Sequence, residues 1–250
     1  MSRLTKLSGI TFRNLVLAAL PPADMEQIRP LLTRVRWVNG QGLHEPGERI
    51  EHVFFPEQGF ASMVAETDDS VSRVEVGLVG RESMVGLSAM LDPGATSFNR
   101  VMVQMPGIAY RMTAQALRDN VDRMPLLRQR LFRAVEESLA QIAQTAACNS
   151  RHTLPERLAR WLLMAHDRID GDELPLTQEF LSIMLAVRRS GVTIAIASLK
   201  AAGLVEHSRG RLLICDRPGL EAAVCDCYGR VKAFVDILAA RDLDQRCKVR

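Results

Sequence analysis

Neither glycine nor proline interrupts residues 126–148, and that one stretch divides the chain in two. A run of this length without a breaker reads as a single long helix. Leu127, Leu131, Val135, Leu139, Ile142 and Ala146 are spaced by four, four, four, three and four, which lays one apolar stripe along it. Arg128, Arg130, Arg133, Glu136 and Gln144 take the other face. The stripe can pack on the domain before it or pair with its copy in a homodimer. A coiled coil needs heptads sustained over more length, so the stripe alone leaves both open.

Before this helix the pattern is that of strands. From about Val35 to Met112, runs rich in Val, Phe and Met are punctuated by Asn39-Gly40, Glu45-Pro46-Gly47, Gln58-Gly59, Asp68-Asp69, Asp92-Pro93-Gly94 and Pro106-Gly107. Turn signals at roughly ten-residue spacing predict an all-β sandwich or barrel. Ser72 to Leu78 alternates polar and apolar residues, as a half-buried strand should. Short helices are expected around Phe12–Leu20 and Ala23–Leu32. After the long helix, Thr153-Leu154-Pro155-Glu156 has the form of a capping box with Pro in the first turn, and Leu158, Trp161, Leu162 and Ala165 give the new helix its buried face. Asp170-Gly171-Asp172 ends it. The expected units are a β domain with flanking helices over 1–112, the long helix and hinge over 113–150, and a C-terminal domain over 151–250.

Residues 174–216 are the most informative for function. Thr177 is a good N-cap for a short helix from Gln178 to Leu185, Ala186 and Val187 form a tight turn, and a second helix runs from near Arg189 to Ala202, stopped by Gly203. Helix, short turn and helix is the helix-turn-helix layout, in which the start of the second helix enters a DNA major groove. Arg188, Arg189, Ser190 and Thr193 fall at that start, where an Arg can pair with guanine O6 and N7. Thr177, Gln178 and the N–H groups opening the first helix suit phosphate. Leu204 to His207 and Arg211 to Cys215 read as two strands of a hairpin wing, tipped by Arg209 and Arg211.

Composition narrows the alternatives. The chain has 250 residues, 47% hydrophobic and 24% charged, a globular profile rather than a disordered one. No apolar stretch nears the roughly 20 residues of a spanning helix, and Arg13 and Asn14 interrupt the start, so a cytoplasmic protein without a membrane partner is expected. The net charge of +3 lies in the second part: residues 1–150 hold 16 basic and 16 acidic residues, and 151–250 hold 16 and 13. Five cysteines (Cys148, Cys215, Cys225, Cys227 and Cys247) at uneven spacing are no disulfide framework. Cys225-Asp226-Cys227 with Cys215 offers soft ligands, but the paired two-residue spacing of structural zinc sites is missing, so small buried hydrophobes and no metal are expected.

These features together resemble the Crp/Fnr family of bacterial transcription regulators over residues 35–235. Gly42-Leu43-His44-Glu45-Pro46-Gly47-Glu48, Val53-Phe54-Phe55 and Gln58-Gly59 resemble the opening strands of its cyclic-nucleotide-binding β-roll, and Thr177 to Val205 resembles its helix-turn-helix. The resemblance implies an α+β chain: an N-terminal β-roll (a double-stranded β-helix) as sensory domain, a long dimerisation helix carrying the Leu127 to Ala146 stripe, and a C-terminal winged helix-turn-helix. It further implies a homodimer on double-stranded DNA, a palindromic operator, RNA polymerase as a further partner, and a small-molecule effector.

The departures concern that effector. Where nucleotide-binding members place Gly-Glu, this chain has Met84-Val85 within Gly80-Arg81-Glu82-Ser83-Met84-Val85-Gly86-Leu87, and Arg100 falls about one position from the expected Arg. One residue in a strand exchanges faces. Gly80, Arg81, Glu82, Gly86 and Arg100 remain an altered anion pocket, with the effector unidentified and no cofactor predicted. An iron–sulfur sensor lacks cysteines before Cys148, and a haem sensor would have only His44 and His52 in the β region. Two other classes compete: a cupin-like metal-dependent enzyme using His44, Glu48 and His52, and an interaction protein that keeps the fold without DNA. The enzyme reading lacks a short-spaced His pair with its carboxylate, and no nucleophile or phosphate-loop motif replaces it, so a non-enzyme is expected.

Overall fold

The structure, a computed structural model, describes residues 11–66 and 73–248, with side chains to residue 239. The Asp68-Asp69 turn, Ser72 and the Cys247 side chain lie outside these. Helices α1 (Leu15–Ala18) and α2 (Pro22–Ile28) precede strands β1 (Thr33–Trp37), β2 (Gly42–His44), β3 (His52–Glu66), β4 (Arg73–Val79) and β5 (Arg100–Thr113). Then come α3 (Ala114–Val121), α4 (Pro125–Arg151) and α5 (Leu154–His166). The C-terminal part continues through β6 (Glu173–Leu174), α6 (Gln178–Met184), α7 (Arg189–Ala201), β7 (Val205–Ser208), β8 (Arg211–Ile214), α8 (Arg217–Ala223) and α9 (Cys227–Lys248).

The first sheet has the order β1-β5-β3-β4, with β2 also on β5. Its spine is the antiparallel pair β3 and β5, in register from His52↔Thr113 to Val64↔Arg100. Two expected turns are absent: Gln58-Gly59 and Pro106-Gly107 lie inside or beside continuous pairing, where the register slips between Pro56 and Ala61. They form a bulge. A Cβ on Gly59, at φ +77°, would stand 2.3 Å from the Met105 carbonyl oxygen, and one on Gly107 would stand 2.0 Å from that of Gln58. Only bare backbone lets the two strands bend together there, and this curls the sheet into a roll around Trp37, Phe54, Val79, Val85, Val101 and Val103. The N-terminal helix is shorter than expected because the buried Asn14 accepts N–H groups from Val16 and Leu17, capping α1 at its start.

Helix α4 performs two tasks along its length. Leu127 and Leu131, 1% and 0% exposed, join Leu17, Phe55, Met112 and Leu117 in the core beneath the roll, so they are not available to a second copy. This corrects the stripe as a single dimer face: its first two residues are consumed inside the chain. The open seam begins one residue later. Phe132 and Leu139 are 52% and 62% exposed, Val135 and Ile142 are half-buried, and Ala146 is exposed. Positions 132, 135, 139, 142 and 146 alternate by three and four, the a/d spacing of a helix pair.

Between α4 and α5 only His152 and Thr153 are extended, at ψ 153° and 159°. Glu156 Oε2 accepts both the Thr153 N–H (2.8 Å) and its hydroxyl (2.6 Å), which fixes the start of α5. The C-terminal domain docks on the roll through a mixed seam. Phe60 and Leu78 of the roll pack with Trp161 and Leu163 of α5. Arg13 makes a two-pronged pair with Asp170 at 2.6 Å, and Arg168 meets Glu82 at 2.8 Å. At its centre Glu75 of β4 is fully buried, accepting the Trp161 Nε1–H at 2.7 Å and the Ser62 hydroxyl.

Burial pushes the Glu75 carboxyl up to about 7, against the pull of those two hydrogen bonds. The folded chain therefore holds a proton that the unfolded chain loses near pH 4.5. This contribution to stability is complete below pH 4.5 and is lost as pH rises to about 7. Replacement of Glu75 by Gln should remove about half of the chain's slope across this range and stabilise the chain above neutral pH by on the order of 3 kcal/mol, as read by urea denaturation. The slope that remains belongs to Glu137, raised to about 7 by burial and by Glu82.

Candidate nucleic-acid interface

Helix α6 is short because both ends are fixed chemically. Thr177 Oγ1 accepts the Phe180 N–H at 3.1 Å. At the other end Ala186 takes φ +50°, its N–H reaches Ile183 O at 3.1 Å, and the Val187 N–H reaches Ser182 O at 2.9 Å. That pair of bonds is a Schellman closure, built here on alanine rather than the usual glycine. Arg157 of α5 donates to the Leu185 carbonyl and to Asn149 Oδ1, holding the turn against the hinge. The chain then turns through 106° into α7, within the range of helix-turn-helix units.

Val192, Ala195, Ile196 and Leu199 bury one face of α7 in the domain core. The opposite face and leading end are open: Arg188, Arg189, Ser190 and Thr193 are exposed. Among the described residues, neither Arg188 nor Arg189 has an ion-pair partner. Thr193 Oγ1 lies 2.9 Å from Gln178 Oε1 and 3.1 Å from the Arg189 carbonyl, so it braces α7 against the start of α6. One residue of this face escaped the sequence reading: Ile194 is 69% exposed beside Thr193. An isoleucine in an amphipathic pattern reads as core, and only the placement of its neighbours shows it facing outward. Such a side chain suits the thymine methyl group.

Strands β7 and β8 form the wing, with Ser208 opposite Arg211. Arg209 and Gly210, at φ +49° and +77°, are a two-residue turn of the twist-matched mirror type. Arg209 is exposed, and Arg211, 70% exposed, pairs with Glu173 at 3.0 Å. An ion pair so exposed is worth about 1 kcal/mol or less, so phosphate can displace the carboxylate. The structure thus sets Gln178 against Thr193 and Thr177 against the wing turn at Gly210, and it leaves Arg188, Arg189, Ser190, Arg209 and Arg211 exposed.

The residues read as an anion pocket are split: Gly80, Arg81 and Glu82 lie together at the seam with the C-terminal domain, and Gly86 and Arg100 lie elsewhere. Arg81 faces Asp170 (3.4 Å), Glu82 faces Arg168, and Arg100 pairs with Glu45 at 2.7 Å and lies 3.5 Å from Glu66. Gly80 sits beside the Arg168 side chain. Gly86 alone lines the cleft between the roll and α4, of about 430 Å³, with His44, Met63, Met84, Leu139 and Ile142 among its walls. None of the described residues lining that cleft is charged. Met84 and Val85, at the Gly-Glu position, are each 1% exposed. His44 Nε2 is 2.8 Å from the His52 carbonyl oxygen, and burial lowers its pKa. Glu48 is exposed, and His44, Glu48 and His52 form no convergent ligand group.

Residues 156–223 match the Crp-like helix-turn-helix domain family. No curated protein matches the chain in sequence. Solved structures with the same fold include a transcriptional regulator assigned to the Crp/Fnr family from Eubacterium rectale, at 16% identity and TM-score 0.65, over 84% of this chain and 98% of that one. FixK2 from Bradyrhizobium japonicum matches at 15% identity and TM-score 0.65, over 78% and 98%. A Crp-family transcriptional regulator from Thermus thermophilus matches at 18% identity and TM-score 0.61, over 76% and 95%. The α+β architecture read from the sequence, a β-roll, a long helix and a winged helix-turn-helix, is the architecture of this chain.

The left-handed alanine in the turn yields a direct test. Substituting Gly for Ala186 relieves a conformation that costs an L-residue about 1–2 kcal/mol, offset in part by the greater freedom of glycine when unfolded. The variant should be more stable by about 0.5–1 kcal/mol, as measured by chemical denaturation.

Proposed function

We propose that this chain, a Crp-like helix-turn-helix domain on the Crp/Fnr fold, is a dimeric, sequence-specific DNA-binding transcription regulator. The observation that carries the proposal is the leading end of α7: two unpaired arginines, a serine and a threonine, exposed on a helix held at 106° to its predecessor. Arg188, Arg189 and Ile194 read base edges, Thr193 and Gln178 hold the helix in register, and Thr177 with the N–H groups of α6 receives a phosphate. Arg209 and Arg211 meet the backbone on either side of the wing. A buried apolar anchor beneath an exposed cationic end is what groove insertion requires, because base contacts specify while phosphate contacts position.

The dimer is formed through Phe132, Val135, Leu139, Ile142 and Ala146 of α4. An exposed Phe and Leu along one seam are otherwise a standing cost in water. Two α7 helices related by the resulting two-fold meet major grooves about 34–36 Å apart, so the operator is an imperfect palindrome. The effector cleft lies directly beside that seam and shares Val135, Leu139 and Ile142 with it. Its uncharged lining favours an apolar effector over a cyclic nucleotide, whose phosphate needs a cationic partner.

Selection of bound sites from random DNA, with and without cell extract, tests binding, palindromy and effector dependence together. Replacing Arg189 by Ala should weaken the selected operator by about 1–3 kcal/mol per lost base pairing and relax preference at that position. Replacing Arg211 by Ala should instead weaken all sequences alike and lower the salt dependence by about one phosphate per subunit. Operator binding by the Arg189 variant at wild-type strength would overturn the assignment.

A further inference from the structure

Cys148, which stands apart in the sequence, meets the Cys225-Asp226-Cys227 pair in space. Cys148 near the end of α4, Cys225 in the link after α8 and Cys227 at the start of α9 are 0%, 7% and 3% exposed and form a cluster of their own. His152, the first hinge residue, joins them: one ligand atom from each of the four lies within 4.8 Å of every other. The shorter contacts are Cys148 Sγ to Cys225 Sγ at 3.7 Å and Cys227 Sγ to His152 Nδ1 at 3.4 Å. Tetrahedral zinc, with bonds of about 2.3 Å to sulfur and 2.0–2.1 Å to nitrogen, requires edges of about 3.8 Å between sulfurs and about 3.5 Å between sulfur and nitrogen. Cys215, the cysteine that the sequence grouped with the Cys-Asp-Cys pair, is exposed on the wing and takes no part.

We propose that Cys148, His152, Cys225 and Cys227 are a Cys3His site for a thiophilic divalent cation, zinc before all others, which clamps the hinge of the chain. Burial pushes the Cys148 thiol up to about 12 and raises Cys225 as well, so both rest as thiols until a cation displaces their protons, and the neighbouring donors then stabilise the sulfur charge. Gln144 Nε2 donates to Cys227 Sγ at 2.9 Å, and the Cys227 backbone N–H is directed at Cys225. Three thiolates and one divalent cation leave a charge of about −1, and Arg157 and Arg160 of α5 both act electrostatically on Cys148. Arg160 is itself buried at 5% exposure and bound to Thr145 Oγ1 at 2.9 Å, while its Nε has no hydrogen-bond partner. Binding releases the thiol protons to solvent, with no change of oxidation state. The neutral imidazole coordinates through Nδ1, the nitrogen facing the sulfurs.

The ligand set joins the end of the long helix, the hinge and the entry to α9, so the cation ties the last helix of the C-terminal domain to the dimer helix. This inference does not depend on DNA binding and is tested without it. The full-length chain, purified with reductant and stripped with chelator, is titrated anaerobically with Co(II) and then Zn(II). One equivalent of Co(II) should give thiolate-to-cobalt charge transfer and the intense visible bands of tetrahedral cobalt, and one equivalent of Zn(II) should abolish them. Zinc should also raise the melting temperature by several degrees and chelator should reverse the shift. Cys215→Ser should behave as wild type, and Cys225→Ser with Cys227→Ser should lose affinity by roughly 100-fold or more. Absence of the cobalt bands from the reduced wild-type chain, their loss in Cys215→Ser, or recovery of a Cys148–Cys225 disulfide indifferent to metal would overturn the proposal.

Discussion

A helix of 27 residues spans about 40 Å and bends only at the expense of its own hydrogen bonds, and α4 holds every other part of this chain in relation to it. Its first turns are anchored by Leu127 and Leu131 in the core beneath the roll. Its middle presents Phe132 and Leu139 to solvent beside the apolar cleft. Its last turn carries Cys148, and α9 returns along it, with Arg133 donating to the Leu238 carbonyl. Whatever alters the environment of the cleft acts on a rigid element whose other end abuts the hinge.

The seam between the roll and the C-terminal domain has a different character. Phe60, Leu78 and Trp161 give it an apolar centre, but the rest is charge: Arg13 with Asp170, Arg81 with Asp170, Arg168 with Glu82. The pairs to Asp170 are exposed enough for water to replace a partner at small net cost, whereas Arg168–Glu82, 11% and 25% exposed, is costly to break. Glu75 is the exception. It is buried, and its two oxygens are engaged separately, Oε1 by the Trp161 Nε1–H and Oε2 by the Ser62 hydroxyl.

The helix-turn-helix and its wing are readable because their signals are local. Thr177 as a cap, the brief turn and the Arg-Gly hairpin each act within about four residues. Elsewhere the deciding interaction is remote. Gly59 and Gly107 look like turn residues, yet each is glycine because the other strand passes over it, and only the β3–β5 pairing makes that visible. Leu127 and Leu139 are equivalent along a stripe, but one meets the roll and the other does not. Arg100 carries the right chemistry for an anion and is engaged by Glu45, just past a strand paired with its own. The four clustered ligands share no spacing rule because 77 residues separate Cys148 from Cys225.

The link between α4 and α5 comprises only His152 and Thr153, both extended. Two residues reach about 7 Å at most, so the start of α5 is tethered within that distance of the end of α4. In the dimer proposed above, the distance between the two α7 helices would be governed by the angle at this link, as with the tips of a pair of compasses. A few degrees there, multiplied by the breadth of the domain, would decide which separation of half-sites that dimer fits.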